Sequence, residues 1–285
     1  MSYVNLSYRF FGNFSRSLRP YFIDVKEDLQ KANMNYTLEE YMSVAMFTTI
    51  VAFFIECVFL SFLMGMFVEP ALSVVLSLIL ASAISGVLFF IFYTYPVTVA
   101  KTRENKIRKV LPFAVSYLAT MSSSKVSPII LFKTLSRFKE YGHVAEEAGD
   151  IANSVDLFGL TSDAAIRKQA KKTPSKELRE LLWGINTVIS TGGDLTDYLN
   201  KKSEDLMSEY RRRIRKYSQD LSLYVEIYLT LIITGSIFFI VLSSIIAALS
   251  AGLETVVIQT FVVFILLPLM SIAFIVLIKS ISPLE

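Results

Sequence analysis

Two pairs of long apolar runs flank a polar stretch of about 130 residues, and that stretch holds 22 of the chain's 28 Lys and Arg. The runs cover roughly Tyr41–Phe67, Ala71–Tyr95, Val225–Leu249 and Thr255–Ile278. Each supplies the ~20 apolar residues that carry a helix across a ~30 Å hydrocarbon core. The links inside the pairs, around Gly65–Pro70 and Ser250–Glu254, contain no Lys or Arg. Basic residues within ~15–20 positions of a span stay on the cytoplasmic side. Lys101, Arg103, Lys106, Arg108 and Lys109 follow the second run, and Arg211, Arg212, Arg213, Arg215 and Lys216 precede the third. Lys26, Lys31 and Lys279 agree. The expected topology is a multi-pass membrane protein, with the middle segment and both termini cytoplasmic.

The implied division is an N-terminal segment 1–40, a transmembrane hairpin 41–95, a cytosolic domain 96–224, a second hairpin 225–278 and a tail 279–285. No cleavable signal peptide is expected, because the first apolar run begins too late and runs too long. The only cysteine, Cys57, lies inside the first run, which excludes an intrachain disulfide and a cysteine metal site. The only histidine, His143, follows Gly142 in what reads as a turn. A catalytic triad or metal centre is poorly supplied, and no phosphate-binding Gly-x-x-x-x-Gly-Lys-Ser/Thr loop occurs. The expectation is a non-enzymatic chain without catalytic residues, cofactor or metal, which draws energy from a partner or a gradient.

Helix punctuation organises the rest. Ile23–Met34 reads as an amphipathic helix, either an interfacial anchor on the inner leaflet or a docking surface. Thr37 opens a capping box with Glu40 and should start the first spanning helix. In the middle segment, helices are expected over about Thr102–Ser122, with Pro112 at a start or kink, and from Ser127-Pro128 to Tyr141. Others cover about Val144–Phe158, Thr161–Lys172 and Ser175–Ser190. Asp194 then caps a last helix running towards the third span. No strand-like alternation appears, so the fold class is all-α: a polytopic membrane protein with four transmembrane helices and a cytosolic six-helix bundle. Leu178, Leu181, Leu182, Ile185, Val188 and Ile189 form one apolar stripe of that bundle. No Gly or Pro lies between Leu195 and Thr234, which predicts a continuous helix of about 50 residues, ~80 Å long.

Inside the runs, Glu56 is the one deep acid, and it must face protein or be protonated. It reads as a proton site, for which no ionisable partner is visible, or as a packing or subunit contact. Small residues repeat every four positions at Ala81–Ser85, Ser82–Gly86, Ser243–Ala247–Ala251 and Ser244–Ala248–Gly252, a pattern for close helix packing within the chain or against another copy. Pro268 predicts a kink. The basic runs at 101–109 and 211–216 lie against the membrane, where anionic lipid headgroups or an acidic protein partner account for them, and no nucleic acid is expected.

Several stretches carry a resemblance: Leu-Pro-Phe-Ala-Val-Ser-Tyr-Leu-Ala at 111–119, Ser-Pro at 127–128, Thr-Pro-Ser-Lys-Glu-Leu-Arg-Glu-Leu-Leu-Trp-Gly at 173–184, and Ile-Ser-Thr-Gly-Gly-Asp-Leu-Thr-Asp-Tyr-Leu at 189–199. Over about Leu111–Tyr228 the chain resembles the type II secretion F-domain family, the inner-membrane platforms of type IV pili, type II secretion, Tad pili and the archaellum. It looks closest to the archaellum- and Tad-like branch. Ser122–Lys125 departs from the pattern, since a small-Gly turn is typical there. The resemblance implies a non-enzymatic platform that contacts a cytosolic hexameric secretion ATPase and helps move pilin-like subunits into a filament. Many relatives carry two F domains, so it also implies pairing with itself or a second F-domain protein, and leaves open that the chain is part of a larger one. On this reading Gly192, Gly193 and Asp194 are a candidate hinge, with an ordinary interhelical turn as the alternative. A signalling or scaffold protein, and less favourably a small transporter, are the competing classes.

Overall fold

Buried positions along the longest helix recur every three or four residues: Pro96, Ala100, Arg103, Ile107, Leu111, Ala114, Val115, Leu118 and Ser122. That spacing lays one stripe down a helix that belongs to the membrane at one end and to a helical bundle at the other. The computed structural model describes residues 3–250 and 253–281. Among them there is no β-strand, and four helices are long and apolar enough to cross a membrane: Leu38–Met64, Pro70–Ser122, Leu195–Ile246 and Val257–Lys279. The chain divides into two compact units, Met1–Lys202 and Ser203–Glu285.

In the first unit, α1 (Tyr3–Leu18), α2 (Ile23–Lys31), α3 (Leu38–Met64) and α4 (Pro70–Ser122) pack through a cluster of Val25, Leu29, Leu38, Tyr41, Met42 and Met46. The capping box is present at the start of α3: Thr37 Oγ1 accepts from the Glu40 N–H at 3.2 Å, and the Thr37 N–H donates to Glu40 Oε2 at 2.8 Å. Of the apolar positions of α2, Val25 and Leu29 are each 2% exposed and face the chain's own core, while Ile23 stays exposed. The sequence reading had no helix at Tyr3–Leu18, although α1 packs extensively along α3.

A second departure is the length of α4. The sequence suggests an apolar run ending at Tyr95 and a separate helix from about Thr102, yet one helix continues through Pro96 and Pro112. Pro96 has no N–H to give to the carbonyl four residues back, Phe92. The Tyr41 hydroxyl of α3 donates to that carbonyl at 2.7 Å, replacing the missing bond from outside the helix. Tyr41→Phe should therefore cost about 1–3 kcal/mol, the desolvation penalty of an unmet buried carbonyl. The same substitution in a Pro96→Ala background should cost much less, because the helix then satisfies Phe92 itself. A double-mutant unfolding cycle checks this. Equal costs in the two backgrounds would contradict the assignment.

The rest of the bundle comprises α5 (Pro128–Leu135), α6 (Gly142–Asp156), α7 (Ser162–Lys172), α8 (Lys176–Thr191) and the start of α9 (Leu195–Ile227). α5 stops six residues before Tyr141. There Phe138 leaves the helix and meets Tyr117 of α4 edge-on, with ring centroids 4.9 Å apart. Thr161 and Ser175 cap α7 and α8 by accepting from the N–H groups of Ala164 and Leu178. Leu178, Leu181, Leu182 and Ile185 are buried, while Val188 and Ile189 are only partly so.

α9 starts in the first unit and ends in the second. The helical path continues beyond it, but through a π-helical segment, Tyr228–Thr234, into α10 (Gly235–Ser250). The fourth span comprises α11 (Leu253–Phe261), a π-helical segment Val262–Leu266 and α12 (Leu267–Ile281). Pro268 is the second residue of α12, directly after the π turn, where a changed hydrogen-bond register accommodates its missing N–H. Within this unit the Tyr228 hydroxyl and Ser271 Oγ are 3.1 Å apart, and the Tyr228 and Phe274 rings stack at 4.6 Å. Ala251 and Gly252, the ends of the two small-residue series in the third span, lie outside the described residues, as do residues 282–285 of the tail.

Candidate functional site

Two joints meet at one end of the bundle, where α4 turns into α5 and α8 turns into α9. Gly192 takes the left-handed conformation at φ +71, which a side chain disfavours. The Gly193 N–H then bonds to Val188 O at 2.9 Å and the Gly192 N–H to Ile189 O at 3.4 Å, so two of the last four carbonyls of α8 are met in a Schellman stop. Asp194 Oδ1 accepts from the N–H groups of Thr196 (2.8 Å) and Asp197 (3.1 Å), capping the positive end of α9. Thr196 Oγ1 donates to Ser122 O at 3.0 Å and ties this joint to the end of α4. An open groove of about 480 Å³ runs between the joints, lined by Lys125, Val126, Pro128, Val188, Ile189 and Leu195 among others. Gly192, Gly193 and Asp194 are all exposed beside it.

Lys125 explains the sequence departure at Ser122–Lys125. Its φ is +50, the conformation that glycine adopts most easily, so a lysine holds the strained position of the turn. Lys125→Gly should raise stability by about 0.5–1 kcal/mol, the relieved strain outweighing the added freedom of the unfolded chain. A shift of the unfolding midpoint to lower denaturant would contradict that.

The basic positions singled out in the sequence fall into different environments. Lys101 and Lys106 are exposed on α4, Lys109 is half-buried, and Arg211, Arg212, Arg215 and Lys216 are exposed on α9 with Arg213 half-buried. Arg103 does not belong to a lipid or partner surface. It is buried, with Nη1 at 3.3 Å from Glu146 Oε2 and Nε at 3.6 Å from Glu147 Oε1. Arg108 is also committed within the chain, to Glu104 at 3.0 Å and Glu177 at 3.1 Å. Their positions on the inner face of α4 direct them at α6 and α8.

This ionic network joins α4 to α6. Glu147 is 2% exposed, and among the described residues no donor lies within hydrogen-bond distance and geometry of its Oε2. Burial pushes its carboxyl above the ordinary 4.5, against the opposing influence of Gln169, Thr173 and Arg103. Glu146 is held below its ordinary value, first by the His143 hydrogen bond at 2.8 Å and also by Arg103. Sequence reasoning missed the pair. The signal was there: Glu147 occupies the register of Val144, Ala148 and Ile151, and Arg103 that of Ala100 and Ile107.

Glu56, the intramembrane acid, meets a neighbour in the adjacent span. The Ser85 hydroxyl, part of the Ala81–Ser85 series, donates to Glu56 Oε2 at 2.9 Å. The contact lies well away in sequence from the joints, and the two are separate features.

Residues 114–243, most of the bundle and most of the third span, match the sequence family described as Type II secretion system (T2SS), protein F. Over these residues the chain is similar to the F domain of type II secretion. A 161-residue stretch, 56% of the chain, is 23% identical to an uncharacterized protein of Methanocaldococcus jannaschii and covers 27% of it. An alignment of 190 positions that covers 62% of the chain is 27% identical to flagella accessory protein J of the same organism and covers 34% of it. The chain thus spans between about a quarter and a third of the length of these relatives. No solved structure matches. The matched residues include both joints and the Glu146–Glu147 end of the ionic network, while Arg103 lies ahead of them.

Proposed function

We propose that this chain is a non-enzymatic membrane platform subunit of a type IV filament or type II-like secretion machine, coupling a cytosolic hexameric secretion ATPase to the insertion of pilin-like subunits. The observation that carries the proposal is the F-domain match at 114–243 in a chain with two apolar spans on either side of the bundle. Similarity to flagella accessory protein J favours an archaellum-like filament. The basic residues beside the second and third spans support a cytosolic F domain with both termini on the same side. The exposed members, Lys101, Lys106, Arg211, Arg212, Arg215 and Lys216, are the proposed contacts for anionic lipid or an acidic partner. The proposed lateral partner is a second F-domain chain, either another copy or a homologue.

The paired joints are the proposed docking end for the ATPase. From Pro96, α4 runs on for 26 residues to Ser122, on the order of 40 Å of helix, which places the groove at the far end of α4 from its membrane segment. In this role Gly192-Gly193-Asp194 is a hinge that lets α9 move against α8. A photo-crosslinking residue at Lys125 should capture the ATPase in native membranes, and crosslinks confined to the chain itself would sink the docking assignment. Replacing both glycines with alanine should abolish filaments while membrane level and folding persist. A double variant that still assembles filaments would leave the joint as a plain turn.

A further inference from the structure

The helix absent from the sequence reading, α1, carries two unlike stripes side by side. Leu6, Phe10 and Phe14 recur every four residues and are exposed, Phe10 at 68% and Phe14 at 60%. Asn5, Arg9 and Asn13 recur one position earlier, and Arg16 lies with them. A third side, with Ser7, Phe11 and Ser15, packs on α3.

The contacts with α3 fix the direction. The Tyr3 hydroxyl is 2.8 Å from Thr48 Oγ1, while Ser15 Oγ donates to Glu39 O at 3.1 Å, so α1 runs antiparallel to α3. Thr48 is seven residues past Tyr41, on the order of 10 Å along the first spanning helix. Phe10 stacks on Phe47 of that helix with centroids 6.2 Å apart, and Tyr3 meets the same ring edge-on at 5.5 Å. The exposed apolar stripe of α1 is therefore continuous with a membrane-facing surface. At the other end of α1, Arg19 and Lys26 line a groove of about 310 Å³ with Gln30, Tyr36 and Glu39, and Arg19 Nη1 is 3.7 Å from Glu39 Oε1.

We propose that α1 is embedded in the leaflet from which the F domain emerges, with Leu6, Phe10 and Phe14 among acyl chains and Arg9, Arg16, Arg19 and Lys26 at anionic phospholipid headgroups. The partner is a lipid surface. Apolar continuity with the first span supplies one half of the match, and the segregated positive charge the other. Such a helix anchors the α1–α3 packing to the bilayer independently of what the F domain binds.

The test uses full-length protein in vesicles, with Cys57, the only cysteine, replaced by serine. Single cysteines at adjacent positions, Phe14→Cys and Asn13→Cys, carry an environment-sensitive dye. Lipid-borne doxyl groups should quench the label at 14 roughly threefold more than the label at 13, and aqueous iodide should reverse that order. Equal response of the two positions to either quencher would overturn insertion of the apolar stripe. Raising phosphatidylglycerol over phosphatidylcholine should increase doxyl quenching at 14, and combined Arg9, Arg16, Arg19 and Lys26 to Gln substitution should abolish the increase. An unchanged lipid dependence in that variant would overturn the headgroup assignment.

Discussion

Arg103→Ala is expected to destabilise the bundle by about 3–5 kcal/mol, the range for leaving one member of a buried ion pair without its partner. Among the described residues the guanidinium is the cation placed against Glu147, and the carboxylate left behind is almost fully enclosed. Urea unfolding in detergent, followed through Trp183, the only tryptophan, measures the loss. A cost under about 1 kcal/mol would mean that Glu147 finds another partner or sheds its charge freely. Glu147→Gln should behave differently, since it removes the buried charge while Arg103 keeps Glu146 at 3.3 Å. The sign follows from the direction of the shift. A raised carboxyl contributes stability that is complete below 4.5 and is lost as pH climbs through the folded value. Glu147→Gln should therefore gain on the wild type as pH rises above 4.5. The lowered Glu146 works in the opposite sense, its contribution present above 4.5 and lost as pH falls below that. A Glu147→Gln variant whose stability tracks the wild type in parallel from pH 4 to 8 would contradict the assignment.

The second large effect is expected at Gly184. This glycine sits inside α8, where it costs helix stability, and a Cβ built on it would overlap the phenol ring of Tyr198. Tyr198 is on the first turns of α9 and donates to Leu181 O at 3.4 Å, so it wedges the two helices at close approach just above the Gly192–Asp194 joint. Gly184→Ala should push the ring out and cost about 1–3 kcal/mol, the usual penalty of overpacking. Tyr198→Ala should relieve most of it: the double variant should be no less stable than Tyr198→Ala alone. If Gly184→Ala instead stabilises the bundle by its better helix propensity, the ring has moved at no cost and the wedge is not a constraint. The glycine that ends the motif at 173–184 thus has a steric reason, close approach of α9, that lies outside its own helix.

Local rules were the legible part of this fold. Thr37, Thr161, Ser175, Gly192 and Asp194 were read as helix boundaries because a cap depends on residues three or four positions away, and each is found there. The four apolar runs were legible by length alone. What failed depended on distant partners. The continuation of α4 through Pro96 depends on Tyr41, which donates to Phe92 across 51 positions of sequence. α5 ends early because Phe138 packs on Tyr117. α1 carries Phe, Tyr, Arg and Asn in close mixture, and its membership of a helix follows from Phe47 and Thr48 of α3. At the joints, the sequence named Gly192, Gly193 and Asp194 and flagged Ser122–Lys125 as unusual, but only the fold places these two segments together, through Thr196 and Ser122.

The central claim, a platform within a filament or secretion machine, is tested most directly by crosslinking this protein in native membranes, recovering it and identifying its companions by mass spectrometry. The account predicts a secretion ATPase together with pilin-like subunits or a second F-domain chain. Repeated recovery of this chain alone, with neither an ATPase nor a filament subunit, would contradict it.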